Sequence, residues 1–195
     1  MKIIKHILSV SLFLLLSTVL FADTKAKEVE YLGLFDINQV SYIVGSGKDA
    51  IEIKRTMTSC AKNKGWFQPY VPAEGIHAVT EAEMLYALND KEAVVVDMRT
   101  PDYFFKETIP AAINIPYGEI ELRLDELGCT QKDGKWDCTK ALKVYGFCNG
   151  PVCPQSPTAM KTMIRNGFPA EKIYYYRGGM LDWTALGLTT VKGLF

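Results

Sequence analysis

The stretch KVYGFCNGPVCPQSPTAMKTMIRNGF, residues 143–168, predicts a strand, a loop and a helix in that order. Residues 144–147 are short and apolar enough for a buried strand. Ser156 is expected to cap the helix, with Pro157 at its first position, where no N–H donor is needed. Gly167 is expected to end the helix, and between these residues the apolar side chains recur with helical spacing at Ala159, Met160, Met163 and Ile164.

Cys148 directly follows the predicted strand, and the N-terminus of the predicted helix points back towards it. Backbone N–H groups and the helix dipole favour a thiolate, so this arrangement predicts a thiol pKa below the ordinary value. A buried structural cysteine at a strand end is the alternative interpretation at this point.

The composition is that of a globular protein, with 195 residues, 48% hydrophobic and 23% charged, and a formal net charge of zero. No run of Lys and Arg with interleaved aromatic residues is present, which argues against a nucleic-acid partner. Residues 1–22 begin with Lys2 and Lys5 and continue as an uncharged, mainly apolar run that ends at Ala22. This pattern predicts a cleaved signal peptide and a periplasmic protein. An uncleaved segment is the alternative, and it would be the chain's contact with a membrane.

The chain has five cysteines, and outside the cytosol these are disulfide candidates first. The odd number leaves at least one thiol free or bonded to another molecule. Cys129 and Cys138 flank Asp133-Gly134, a hairpin-turn signal, and are predicted to form a disulfide. Their spacing fits no common zinc site, so we predict no metal and no other cofactor.

From His77 onwards, predicted helices and strands alternate. Thr80 and Glu83 have capping-box spacing, residues 93–96 read as a buried parallel strand, and residues 120–127 as a helix. The alternation predicts an α/β domain with a mainly parallel sheet over residues 77–190. Residues 23–76 form an N-terminal extension. In it we expect short strands within 31–44, a short helix within 49–62, and an extended aromatic segment at 65–72 that packs on the domain or binds a partner.

Several segments, in this order, resemble a rhodanese-like domain, the sulfurtransferase fold. AVVVDMRTPDYFFKETIPAAINIP (93–116) is similar to the family's strand, Asp-x-Arg and IPGAINIP segments. Cys148 stands where the catalytic cysteine follows the central strand, 156–168 resembles the next helix, and YRGGMLDW (176–183) resembles the closing GG-x-x-x-W turn. The resemblance covers about 77–190. It implies a three-layer domain with a central, mainly parallel five-stranded sheet flanked by helices, preceded by the N-terminal extension.

The resemblance implies that Cys148 is the nucleophile and carries sulfane sulfur as a persulfide. The donor would be thiosulfate, polysulfide or a protein persulfide, and the acceptor a thiol or cyanide. Asp97 and Arg99 match the family's Asp-x-Arg pair. Their implied role is structural, to hold in place the active loop, which begins at Cys148. The substrate-binding residues would be Asn149, Gly150, Val152, Cys153, Gln155 and Arg177.

The loop from Cys148 to Ser156 departs from the family pattern. It is about two residues longer than usual, lacks a basic residue, and loses two N–H donors to Pro151 and Pro154. We therefore expect Arg177 to supply positive charge. Cys153 could resolve the persulfide as a disulfide, accept sulfur, act as the nucleophile itself, or be a bystander. We favour Cys148 as the nucleophile because it directly follows the strand.

Two other functions stay open. One is a thiol–disulfide redox or redox-sensing protein that uses Cys148 and Cys153. The other is a catalytically inactive binding module on the same fold. A phosphatase on a related fold is excluded, because the position that would need Arg is Pro154.

Overall fold

The computed structural model describes residues 29–57 and 64–194. The predicted signal peptide and Cys60 lie outside these ranges. The N-terminal extension forms a small antiparallel sheet from β1 (Tyr31–Leu32), β2 (Ser41–Val44) and β3 (Ile51–Thr56), in the order β1-β3-β2. The helix predicted within 49–62 is therefore wrong for residues 51–56. Ile51 and Ile53 alternate with charged residues, and this period of two suits a strand.

The central sheet has five strands, and all neighbouring pairs are parallel. Its strands are β4 (His77–Val79), β5 (Ala93–Asp97), β6 (Ile113–Asn114), β9 (Lys143–Phe147) and β10 (Ile173–Tyr176), in the order β4-β10-β9-β5-β6. This confirms the predicted five-stranded, mainly parallel sheet. Between β6 and β9 lies a hairpin of β7 (Thr130–Lys132) and β8 (Lys135–Asp137).

Helices cover both faces of the central sheet, so its strands are buried on both sides. They are α1 (Glu81–Ala87), α2 (Pro101–Lys106), α3 (Gln155–Arg165) and α4 (Gly179–Ala185). Successive strand residues point to opposite faces. Tyr175 accordingly belongs to the hydrophobic cluster that contains Met160 and Met163 of α3. Tyr176 belongs to a second cluster that contains Trp183 of α4. The result is the three-layer α/β architecture that the sequence predicted.

The helix predicted over 120–127 is two short 3₁₀ turns, Ile120–Leu122 and Leu124–Leu127. Arg123 interrupts them with a non-helical backbone and bonds to Glu119 and Glu126. Burial of Ile120, Leu124 and Leu127 against the core explains the helix-like spacing, which two turns satisfy as well as one helix would.

The predicted start of α3 is also wrong. The helix begins at Gln155 with Pro154 in the capping position, so Ser156 and Pro157 lie inside its first turn. The Ser156 hydroxyl is used elsewhere, because it donates to the sulfur of Cys148. By contrast, the capping interaction at α1 is present, with the Thr80 N–H donating to the Glu83 carboxylate at 2.9 Å.

Within the described ranges, no helix combines the length and hydrophobicity needed to cross a membrane. The same residues contain no cluster of His, Cys, Asp and Glu that could hold a metal ion.

The hairpin places Cys129 next to Cys138, with Cα atoms 4.2 Å apart and the sulfur atoms joined. The turn uses positive φ angles at Asp133 and Gly134, as the sequence signal predicted. Both cysteines are buried in the core cluster, together with a partly buried Trp136.

We predict that the purified, oxidised protein contains this disulfide and that reducing it lowers the free energy of unfolding by about 2–4 kcal/mol. Urea unfolding with and without reductant measures the difference. The Cys129→Ala/Cys138→Ala variant is the control, and its stability should not respond to reductant. Two alkylatable thiols at these positions in the untreated protein would contradict the pairing.

Candidate functional site

The candidate site is the loop between the end of β9 at Phe147 and the start of α3 at Gln155. The turn after β10 clamps this loop. The Met180 N–H donates to the Cys148 carbonyl at 3.0 Å, and the Leu181 N–H donates to the Asn149 carbonyl at 2.9 Å. Gly179 has a φ of 56°, and a side chain on it would overlap the Cys148 carbonyl oxygen. The glycine is therefore needed for this close approach.

The Cys148 thiol lies beneath the loop and is 1% exposed. Its S–H donates to the carbonyl oxygen of Cys153 at 3.3 Å, and its sulfur accepts a hydrogen bond from the Ser156 hydroxyl at 3.1 Å. The first turn of α3 thus supplies a donor aimed at the sulfur, which is the role we expected of the helix N-terminus as a whole.

The ionisation of Cys148 differs from the prediction. Burial raises the pKa of the Cys148 thiol well above its ordinary value, and the neighbouring Cys153 side chain acts in the same direction. The hydroxyl and backbone N–H of Ser156 lower this pKa, as the helix argument predicted, but their effect is smaller. Desolvation of a fully buried thiolate outweighs these two donors.

Cys153 lies beside Cys148, whose thiol donates to the Cys153 carbonyl, and the Cys153 side chain is also buried. The Cys153 sulfur is 3.6 Å from Oε1 of Gln155. Neither cysteine is in a disulfide. Cys153 differs from Cys148 in one respect that matters for chemistry, because it lines a surface cleft and Cys148 does not.

The cleft has a volume of about 340 Å³. The active loop contributes Asn149, Cys153, Pro154 and Gln155 to its wall, and the domain adds Tyr103, Tyr117 and Thr158. The N-terminal extension contributes the remaining described residues, which are Ile37, Lys64, Gly65 and Trp66. Of the residues that we predicted to bind substrate, Gly150, Val152 and Arg177 do not line this cleft.

Arg177 instead contacts the extension, as its Nε donates to the carbonyl of Gln68 at 3.0 Å. The Gln68 N–H in turn donates to the Pro151 carbonyl in the active loop at 2.9 Å. The aromatic segment 65–72 therefore packs on the domain, directly over the loop that holds both cysteines.

Asp97 and Arg99 form a buried ion pair next to the loop, with side chains 0% and 4% exposed. Arg99 Nε lies 2.9 Å from Oδ1 of Asp97, and its other nitrogens reach the Glu107 carbonyl and, at 3.1 Å, Oδ1 of Asn149. The Thr108 hydroxyl donates to Asp97 at 2.8 Å. The pair thus contacts the residue that follows Cys148.

The sequence reasoning missed several groups at this site. The cap expected at Ser156 does not describe its role, and no sequence pattern singles out Thr108, whose hydroxyl donates to the buried Asp97 carboxylate. Tyr175 is the third such residue and lies in β10. Its hydroxyl is buried and makes no hydrogen bond to any described residue, and burial followed by the charge of Cys148 raises its pKa. No local pattern distinguishes such a tyrosine from a core residue.

The sequence model of the rhodanese-like domain matches residues 80–186, more than half of the chain. The chain belongs to the rhodanese-like domain family. The chain is 30% identical over 116 residues to the HTH-type transcriptional regulator Rv0324 of Mycobacterium tuberculosis, covering 60% of this chain and 45% of that protein. It is 30% identical over 96 residues to the putative sulfur carrier protein YrkF of Bacillus subtilis, covering 49% and 44%. The chain spans less than half the length of each of these relatives.

The chain is also similar to solved structures at low sequence identity. Thiosulfate sulfurtransferase from Pseudomonas aeruginosa is 23% identical with a TM-score of 0.45, covering 64% of this chain and 24% of that one. The BH2092 protein from Bacillus halodurans is 20% identical with a TM-score of 0.46, covering 59% and 76%.

We predict that Ser156→Ala slows alkylation of Cys148 by iodoacetamide at neutral pH about tenfold or more. The variant loses a donor to the thiolate, and such bonds contribute about 1.5–3 kcal/mol. Peptide mass mapping of the Cys148 peptide over a range of pH measures the rate. Lys161→Ala shortens an exposed side chain on the same helix, outside the cleft, and should leave the profile unchanged. In the wild type the rate should keep rising above the ordinary thiol pKa, and an inflection below that value would contradict the assignment.

We predict that Arg99→Ala lowers the free energy of unfolding by about 3–5 kcal/mol, because it leaves the Asp97 carboxylate buried without its cation. Arg99→Lys keeps the charge but not the planar guanidinium, so its free energy of unfolding should lie between those of the wild type and of Arg99→Ala. Chemical denaturation measures both. A loss below about 1 kcal/mol for Arg99→Ala, the range of exposed ion pairs, would show that the pair does not hold the site together.

Proposed function

We propose that this protein is a sulfurtransferase that carries sulfane sulfur as a persulfide on Cys148. The observation that carries the proposal is the position of the Cys148 thiol, at the carboxyl end of the central parallel strand β9. There the Ser156 hydroxyl, from the first turn of α3, donates to its sulfur. Membership of the rhodanese-like domain family and the similarity to a putative sulfur carrier support sulfur transfer in general.

The proposed chemistry needs no external oxidant or reductant. The Cys148 thiolate attacks the outer sulfur of the donor and forms a new S–S bond. With thiosulfate as donor, its S–S bond breaks and the electron pair leaves with sulfite. A thiol or cyanide then attacks the outer sulfur of the persulfide, and the Cys148 thiolate is released. Polysulfide or a protein persulfide serves equally well as donor in this scheme.

The surroundings of the sulfur suit an anionic persulfide better than a bare buried thiolate. A buried anion needs hydrogen-bond donors. The Ser156 hydroxyl already donates to Cys148, and the Tyr175 hydroxyl close by has no partner among the described residues. The Cys153 carbonyl covers the thiol, so we propose that the loop around Cys153 moves outward when a donor reacts through the cleft.

We also propose that the protein works in the periplasm after export. The support for this is the charged start and uncharged, mainly apolar run of residues 1–22, together with the predicted disulfide at Cys129 and Cys138.

A second candidate function is thiol–disulfide exchange between Cys148 and Cys153. The observation that favours it is the closeness of the two cysteines, since the Cys148 S–H donates to the Cys153 carbonyl at 3.3 Å. Here one thiolate attacks a substrate disulfide, the second thiol resolves the mixed disulfide, and the substrate leaves as a dithiol. The five-residue spacing is longer than that of a Cys-x-x-Cys motif, which makes this the weaker of the two candidates.

Intact-mass measurement after incubation with thiosulfate or polysulfide tests the proposal. The wild type and Cys153→Ser should gain one sulfur atom, and Cys148→Ser should gain none. Loss of two hydrogens with a substrate disulfide, dependent on both cysteines and without sulfur uptake, would favour thiol–disulfide exchange instead. No change under either condition would overturn both and point to a binding module.

A further inference from the structure

Part of the cleft is built by residues that the family match does not include. The match begins at residue 80, whereas Ile37, Lys64, Gly65 and Trp66 come from the N-terminal extension. The rhodanese-like domain alone would leave this side of Cys153 open. The extension therefore forms one wall of the approach to the active loop.

The extension is held against the loop by specific contacts. Gly65 lies so close to Val152 that a side chain on it would overlap the Val152 carbonyl oxygen. Three residues further on, Gln68 bonds through its N–H to Pro151 and through its carbonyl to Arg177. These contacts place residues 65–68 along the outer edge of the active loop.

Residues 65–68 are also hydrogen-bonded to the small antiparallel sheet and the residues next to it. The guanidinium of Arg55, in β3, donates to the carbonyls of Gly33, at 3.1 Å, and of Gly65. The Phe67 N–H donates to the Leu34 carbonyl at 2.8 Å. This wall of the cleft is thus held by contacts with the active loop on one side and with the small antiparallel sheet on the other.

The lining of the cleft indicates what it can bind. Trp66, Tyr103 and Tyr117 provide aromatic surface, and Asn149 and Gln155 provide amide groups. Lys64 is the single cation among the described lining residues, and Glu30 neutralises it at 2.6 Å. An inorganic dianion finds no unpaired cation in this lining. The volume of about 340 Å³ and the aromatic walls suit a small organic molecule.

We infer that the N-terminal extension is a specificity-determining part of the site and that, through Trp66, it selects acceptor thiols with an apolar or aromatic body. The inference rests on the proposed sulfur transfer. The acceptor's thiolate attacks the outer sulfur of the Cys148 persulfide, the S–S bond to Cys148 breaks, and the acceptor leaves as an organic persulfide. Trp66 contributes contact with the body of the acceptor and takes no part in the bond changes.

Discharge kinetics of the sulfur-loaded full chain test this inference. Phenylmethanethiol is compared with 2-mercaptoethanol and with cyanide, which is too small to fill the cleft. Trp66→Ala should raise the KM for phenylmethanethiol about tenfold, the effect of losing roughly one aromatic contact. Discharge by cyanide should change less than about twofold, since cyanide gains nothing from that contact. Tyr86→Ala removes a 78% exposed tyrosine from α1, outside the cleft, and should change neither rate.

A second measurement needs no persulfide, so it separates failure of this inference from failure of sulfur transfer. The rate of Cys153 alkylation is compared between iodoacetamide and its N-benzyl derivative by peptide mass mapping. The wild type should prefer the aromatic reagent, and both Trp66→Ala and Gly65→Val should lose that preference, the latter because its side chain displaces the wall. Equal preference in all three proteins, or equal effects of Trp66→Ala on cyanide and on phenylmethanethiol, would overturn the inference.

Discussion

The buried ion pair between Asp97 and Arg99 is the interaction on which the site depends. Asp97 ends β5, and its carboxylate accepts hydrogen bonds from Arg99 and Thr108. Arg99 carries this connection to Asn149, directly after Cys148. Removing either charge would leave the other buried without a partner, which is more costly than never having the pair. The network therefore fixes the active loop relative to the neighbouring strand.

Around Cys148, two physical effects oppose each other. Burial disfavours the thiolate, while the Ser156 hydroxyl and N–H favour it, and burial is the stronger effect in the closed arrangement. A nucleophilic cysteine needs its thiolate. An outward movement of the loop around Cys153 would weaken desolvation and leave the Ser156 donors in place. The loop that covers the sulfur would thus also set its reactivity, and the buried Cys153 is the cysteine that lines the cleft.

The extension connects this local chemistry to selectivity. In the active loop two prolines remove N–H donors, and Arg177 contacts the extension and not the cleft. Among the described residues that line the cleft, none therefore offers the unpaired positive charge that would favour a small inorganic anion. What the cleft offers is aromatic and amide surface, to which Trp66 contributes from outside the matched family region. Specificity on this fold can accordingly lie in a segment that family membership does not describe.

The sequence by itself determined the order of strands and helices in the domain, the parallel sheet, the capping of α1, the hairpin turn and the position of Cys148. These features depend on local periodicity and on residues with restricted backbone preferences. It did not determine the start of α3 or the two 3₁₀ turns at 120–127, because tertiary contacts override local preference there. The strand at 51–56 follows the local period of two at Ile51 and Ile53, so the helix expected there misassigned that pattern. Only the tertiary structure decided which cysteine lines the cleft, what Arg177 and Ser156 bind, and that the extension walls the site. Those outcomes depend on burial and on contacts between residues far apart in the chain, such as Gly65 with Val152, and no local pattern encodes them.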